Sequence, residues 1–257
     1  MNRVLIITGM HRSGTSVVAH WLNECGLFLG RSLLPGNESN PKGHFEDSEI
    51  LDLQRRMLAR DGLTHMVWGS RKIRIASEDR DRAEQVVKTR LENPQWGWKE
   101  PRTCLFLDFW KSLIPEAKCL FIYRHYAQSV ASLKRREGRL RRVPPLSWYK
   151  TVLYTRVWRR YNKDVMAFAS RHPADCMTFD IRDIGGVSLK LIRFMNMKWS
   201  FDLEARDFKD VFDRRYFHDK RHALQGIGCR LSYPGIADTY HALAELNSRS
   251  HQRVEDS

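Results

Sequence analysis

Gly9-Met10-His11-Arg12-Ser13-Gly14-Thr15-Ser16 packs two glycines, three hydroxyls and a cation into eight residues, types that suit an anion bearing several oxygens. The stretch lies between an apolar run, Val4 to Thr8, and a segment in which Val17, Val18, Trp21, Leu22 and Cys25 recur at helical spacing. Backbone N–H groups in the first turn of a helix lack intrahelical partners and sit at its positive dipole end. Strand, glycine turn and helix in that order therefore predict a phosphate-binding loop. Against the pattern G-x-x-x-x-G-K-[ST], Gly9 and Gly14 hold the glycine positions and Ser16 the hydroxyl position. Thr15 stands where the lysine belongs, and the cation has moved into the loop as Arg12. Nucleoside triphosphatases need that lysine near the β- and γ-phosphates, so the substitution favours a phosphate donor other than ATP. A purely local account competes, in which Ser13 or Thr15 caps the helix.

Other residues are placed to act on the same anion. Glu46 stands at a loop-to-helix junction, where a carboxylate could accept a proton from a hydroxyl or simply complement the helix dipole from the first turn. Lys99 and Arg102 follow the aromatic strand Trp96-Gly97-Trp98. In an open α/β sheet they would reach the ligand crevice beyond the carboxyl ends, or else form a surface salt bridge with Glu100. Arg124 ends another apolar run, and the helix after it carries Ser129 and Ser132, so Arg124 and Ser132 are placed to hold one anion between them.

The elements that must position these groups alternate. Buried strands are expected at Val4 to Thr8, Trp96 to Lys99, Lys118 to Tyr123 and Cys176 to Phe179. Helices are expected after Asp47 (Ile50, Leu53, Met57, Leu58), over Arg71 to Glu92, Thr103 to Leu113, Leu146 to Ala169 and Val187 to Met195. In the long helix, Trp148, Val152, Thr155, Trp158 and Tyr161 form a core-like face, and the tail from Phe201 has no clear assignment. Gly30 to Pro41 reads as an exposed loop. Strands separated by helices give a parallel α/β sheet.

With 257 residues, one domain over 1–257 suffices. Lysine and arginine total 44 against 30 acidic residues, a net charge of +14, so the partners are anionic. The densest basic run, Lys134 to Arg142, reads either as a nucleic-acid or glycan patch or as a solvated loop over the site, the commoner case. Nucleic acid is not expected as a partner; peripheral membrane contact through the basic surface is. Five cysteines without CxxC spacing, three in apolar surroundings, argue for reduced thiols and a cytoplasmic setting. No apolar run reaches transmembrane length, no repeat occurs, and the sequon Asn37-Glu38-Ser39 reads as coincidence.

Together these pieces resemble the sulfotransferase superfamily that uses 3′-phosphoadenosine-5′-phosphosulfate. Arg12-Ser13-Gly14-Thr15-Ser16 looks like its 5′-phosphosulfate loop, and Phe121-Ile122-Tyr123-Arg124 through Ser132 looks like its 3′-phosphate site. Phe179 to Ile184, followed by the helix to Met195, is similar to the acidic segment before a late helix. The resemblance implies a P-loop-like three-layer fold with a central parallel sheet flanked by helices. It also implies sulfuryl transfer to an acceptor hydroxyl with adenosine 3′,5′-bisphosphate as product and no metal. Cytosolic small-molecule members carry a loop lysine and a catalytic histidine. This chain has Arg12 and no histidine after the strand ending at Lys99, and is closer to the carbohydrate and tyrosylprotein branch. On that analogy Glu46 is the base and Lys99 the transition-state cation, with His44 and His11 as rivals for the base. The implied acceptor is a glycan or glycolipid hydroxyl. The rival readings are an ATP-dependent P-loop kinase and a noncatalytic binder of nucleic acid or acidic glycan.

Overall fold

A computed structural model of the chain describes residues 2–36, 43–136, 144–212 and 223–257. The sequon at Asn37, the end of the loop at Pro41 and the part of the basic run from Glu137 to Arg142 lie outside the described residues.

Four strands, β1 (Arg3–Thr8), β2 (Gln95–Lys99), β3 (Lys118–Tyr123) and β4 (Cys176–Asp180), form one parallel sheet in the order β2-β1-β3-β4. The pairs Ile7 with Lys99, Thr8 with Phe121 and Tyr123 with Asp180 bring all four carboxyl ends to a single edge. Parallel pairing demands long crossovers. Helices α1 (Thr15–Glu24), α2 (Ser48–Arg60), α3 (Ser77–Arg90), α4 (Leu107–Leu113), α5 (Tyr126–Arg136) and α6 (Pro144–Arg171) fill them, and α7 (Ile184–Trp199), after the last strand, joins them in flanking the sheet. Beyond Phe201 come α8 (Phe208–Val211), α9 (Ala223–Ser232) and α10 (Ile236–Glu255). The expected α/β architecture, a parallel sheet between helical layers, is the one observed.

Alternation along the strands decides which layer each residue supports. Val4, Ile6, Trp96, Trp98, Cys119 and Phe121 face a core closed mainly by α2, α4, α5 and α6. Leu5, Ile7, Leu120, Ile122, Met177 and Phe179 face a second core closed by α1, α7 and α8. Both sheet edges are covered, which removes unpaired N–H groups that would invite aggregation. At β4, Ser250 Oγ and Asn247 Oδ1 of α10 accept from the N–H of Thr178 and Asp180, at 2.8 and 3.1 Å. At β2, the carbonyl of Phe28 accepts from Gly97 N at 2.9 Å.

Several sequence expectations need correction. The helix expected from Arg71 starts at Ser77, because Asp61 accepts from both Arg74 N and Arg74 Nε at 2.7 Å and pins the preceding residues outside any helix. Thr103 to Leu113 is not one helix. Glu100 caps a 3-10 turn over Pro101–Leu105, and the chain breaks at Phe106 before α4. Trp148 is not core: it is 48 % exposed on the first turns of α6, whereas Thr155, Trp158 and Tyr161 are buried. The described residues of the unassigned tail are largely helical, and all five cysteines are buried and free.

Candidate active site

The loop after β1 turns tightly at one edge of the sheet. Ser13 N donates to the Met10 carbonyl at 3.1 Å, and Arg12 and Gly14 both take left-handed backbone angles, φ 70° and 93°. Glycine at position 9 serves packing more than ligand approach: a Cβ there would stand 1.9 Å from the Ile122 carbonyl of β3. Gly14 is the N-cap of α1, and no side chain caps that helix. The local account, with Ser13 or Thr15 as cap, therefore fails. Ser13 and Thr15 are buried beside the uncapped turn, Ser16 is half-buried, and Ser13 Oγ has no hydrogen-bond partner within the protein.

Arg12 reaches across to α5, where its Nε donates to Ser132 Oγ at 2.9 Å. Ser132, expected to share an anion with Arg124, thus meets the loop arginine directly. Arg124, at the end of β3, is 5 % exposed. Its Nε donates to Gln128 Oε1 at 3.1 Å, and its carbonyl accepts from Trp158 Nε1 at 3.1 Å. Positions 128, 132 and 136 follow the four-residue spacing of one face of α5, two residues beyond Arg124, so Gln128 and Arg136 join residues already singled out. Burial, then Arg136 and Arg135, pull the Arg12 guanidinium below its ordinary pKa. Three guanidiniums crowd one corner, an arrangement that an anion would relieve.

On the other side of the loop, at the end of β2, Lys99 is 2 % exposed. Its Nζ donates to Glu46 Oε1 at 2.6 Å and to the His44 carbonyl at 3.1 Å. Glu46 is not in the first turn of α2. Asp47 is the N-cap, accepting from Glu49 N at 3.0 Å, and Glu46 precedes it. The dipole account of Glu46 is thereby replaced by a buried ion pair. Asp47 is in turn held by buried Arg90 at 2.8 Å, which fixes the start of α2 and the residue before it. Phe45, adjacent to Glu46, has φ 52°. Arg12 and Phe45 are non-glycine residues in the left-handed region, a conformation that costs about 1 kcal/mol or more and concentrates at functional sites. Burial alone would raise the Glu46 carboxyl, but the charge and hydrogen bond of Lys99, with His44 and Arg102, outweigh it and hold the pKa below its ordinary value.

The expected surface bridge between Glu100 and the cations is neither exposed nor shared with Lys99. Glu100 accepts from Arg102 Nη1 at 2.6 Å, both residues are buried, and burial raises the Glu100 carboxyl despite that arginine. The rival bases differ. His11 lies 5.0 Å from the His65 ring and 5.8 Å from Tyr161. Burial, then Arg102, His65 and Lys99, push its pKa well down, and its Nε2 has no partner within the protein. His44, also shifted down mainly by burial, contributes its carbonyl to Lys99. His65, Tyr161 and Arg102 line this side, and nothing in their spacing pointed to the first two.

The sheet edge therefore gathers a loop with an uncapped helix start, two buried arginines, a buried lysine–glutamate pair and orphaned polar atoms. No protein-family model and no curated protein matches the sequence. Solved structures do. The sulfotransferase STF9 from Mycobacterium avium superposes with a TM-score of 0.57 at 15 % identity, over 93 % of this chain and 76 % of that one. The sulfotransferase STF1 from Mycobacterium tuberculosis H37Rv gives 0.51 at 14 % identity, over 93 % of this chain and 77 % of that one. At such identities the likeness establishes that this chain has the fold of those sulfotransferases.

Proposed function

We propose that the chain transfers a sulfuryl group from 3′-phosphoadenosine-5′-phosphosulfate to an acceptor hydroxyl, as the loop resemblance implies and as the fold shared with two sulfotransferases supports. The carrying observation is the 2.9 Å contact between Arg12 and Ser132. It joins the two stretches that the resemblance reads as opposite ends of one donor site. The residues present suit such a donor. The uncapped turn of α1 and the partnerless Ser13 Oγ offer donors for the 5′ end, while Arg124 and Ser132 would hold the 3′ phosphate, as the resemblance implies.

The donor, when bound, supplies the sulfuryl group and a phosphate leaving group. Arg12 and the loop amides hold the leaving phosphate and stabilise the charge that grows on it. Glu46, ionised at neutral pH because its carboxyl is held low, accepts the proton of the acceptor hydroxyl as oxygen bonds to sulfur and the sulfur–oxygen bond to phosphate breaks. Lys99, buried and already bonded to Glu46, stands ready to exchange that carboxylate for the transferring group, which would free the base as it is needed. The acceptor in this reading is a carbohydrate or glycolipid hydroxyl, as in the branch with a glutamate base.

Two measurements test it. Adenosine 3′,5′-bisphosphate raises the melting temperature of the protein, and ATP with magnesium does not. Arg12→Ala and Arg124→Ala each lower transfer from labelled donor by roughly 10²-fold, the scale of losing one preorganised group. Near-normal turnover in either variant removes the assignment.

A further inference from the structure

Helix α9 carries an apolar stripe on its outer side. Leu224, Ile227 and Leu231, spaced i, i+3 and i+7, are 85 %, 45 % and 70 % exposed. Gly226 and Cys229, on the far side of the same helix, are buried. The inner side fixes how α9 sits. A Cβ built at Gly226 would lie 3.7 Å from Ala127 of α5, and one at Gly228 would lie 3.4 Å from Thr151 and 3.9 Å from the Trp148 ring of α6. Gly228 lies on the edge of the stripe nearest α6, so the exposed indole of Trp148 borders the three aliphatic residues, with exposed Tyr149 next to it. On the opposite flank Arg230 is exposed, and its Nη1 donates to Tyr126 Oη at 3.4 Å.

What surrounds the stripe identifies what it meets. Lys150 follows Tyr149 along α6, Lys134 near the end of α5 donates to Gln225 of α9 at 3.4 Å, and the whole chain carries +14. A second copy of the chain would bring these cations against one another. A surface of anionic headgroups would meet them with opposite charge while the stripe enters the acyl boundary. An apolar helix face flanked by Lys and Arg, with Trp and Tyr at its border, is the composition of a helix lying in a membrane interface. We propose that α9 and the first turns of α6 form a docking face for a bilayer rich in anionic phospholipid. No helix among the described residues is long and apolar enough to cross a membrane, so the attachment is peripheral. Neither the stripe nor its cations belong to the donor site, so this inference stands whether or not sulfuryl transfer does. If both hold, α5 links the two, since it carries Ser132 on one face and packs against α9 on another.

Co-sedimentation with vesicles tests the proposal on the full chain. The protein pellets with phosphatidylcholine vesicles containing phosphatidylglycerol, pellets poorly with phosphatidylcholine alone, and is released as salt rises. Leu224→Ser combined with Leu231→Ser lowers the affinity for the mixed vesicles by about tenfold or more, from the apolar surface no longer inserted. Both side chains are exposed, so the double variant keeps the parent's melting temperature and its response to adenosine 3′,5′-bisphosphate. Equal pelleting of parent and double variant overturns the proposal, as does indifference of the parent to phosphatidylglycerol. Light scattering supplies the remaining outcome: a parent that dimerises and a double variant that does not would assign the stripe to a second copy of the chain and overturn the lipid reading.

Discussion

Two stretches of the same sheet edge are built from similar residues and settled differently. At the end of β4, Asp180 accepts from Arg182 N, Nε and Nη2 at 3.0, 2.9 and 2.7 Å. Arg182 also donates to Tyr240 Oη at 2.7 Å, and Asn247 bridges Asp180 N to Asp183 Oδ2. Around the ends of β1 and β2, by contrast, Ser13 Oγ, His11 Nε2 and Glu100 Oε2 are buried with no partner within the protein, and Arg12 and Phe45 hold strained backbones. Buried polar atoms are nearly always bonded in a folded protein. Partnerless polar atoms together with strained backbone beside the loop, and the closed network beside β4, separate a place left open for a ligand from a joint that fastens α10 to the sheet.

The sharpest way to break that contrast is at Glu46. Glu46→Gln keeps the shape and much of the hydrogen bonding to Lys99 and removes the proton acceptor. It lowers sulfuryl transfer by roughly 10³-fold while the thermal response to adenosine 3′,5′-bisphosphate persists. If the variant turns over normally, His11 with its partnerless Nε2 becomes the base, and His11→Gln then carries the large loss.

The β4 joint should behave in the opposite manner. Asp180→Ala strips Arg182 and Tyr240 of their acceptor, and because Arg182 is itself 45 % exposed and can turn to water, the cost is about 2 kcal/mol of stability. Denaturant unfolding measures it, and activity per folded molecule stays at the parent level. A variant of parental stability would make the network decorative; one that is stable but inactive would make β4 part of the site.

This contrast also explains what the sequence made legible. Apolar runs ending in Thr8, Lys99, Tyr123 and Phe179 read as buried parallel strands because both faces of each are covered. The loop at Gly9 to Ser16 was legible because glycine and hydroxyl spacing is local. Contacts made by chain folding were not. The pairing of Lys99 with Glu46 joins residues far apart in sequence, Glu46 precedes the N-cap Asp47 instead of lying in the first turn of α2, and the exposure of Trp148 depends on where α9 packs. Arg71 to Ala76 misled because helix formers in a charged segment carry no sign of the acceptor, Asp61, that draws them away.

The smallest expected effect concerns pH. The Glu46 carboxyl is held below its ordinary value in the folded protein, so folding favours its ionised form. The sign follows from linkage: the unfolded chain binds the proton at a higher pH than the folded one, so the ion pair contributes its full stability above the ordinary carboxylate range. The contribution disappears as pH falls through the lowered folded value. The gap in melting temperature between the parent and Glu46→Gln is therefore flat across neutral pH and narrows only below about pH 5, as the ordinary carboxylate range is entered. A Glu46 gap that already narrows between about pH 6 and 7, the range of an unperturbed histidine, would mean that the ion pair with Lys99 is not what holds this carboxylate. Glu46 would then resemble the committed residues of the β4 joint less than the uncommitted histidines beside it.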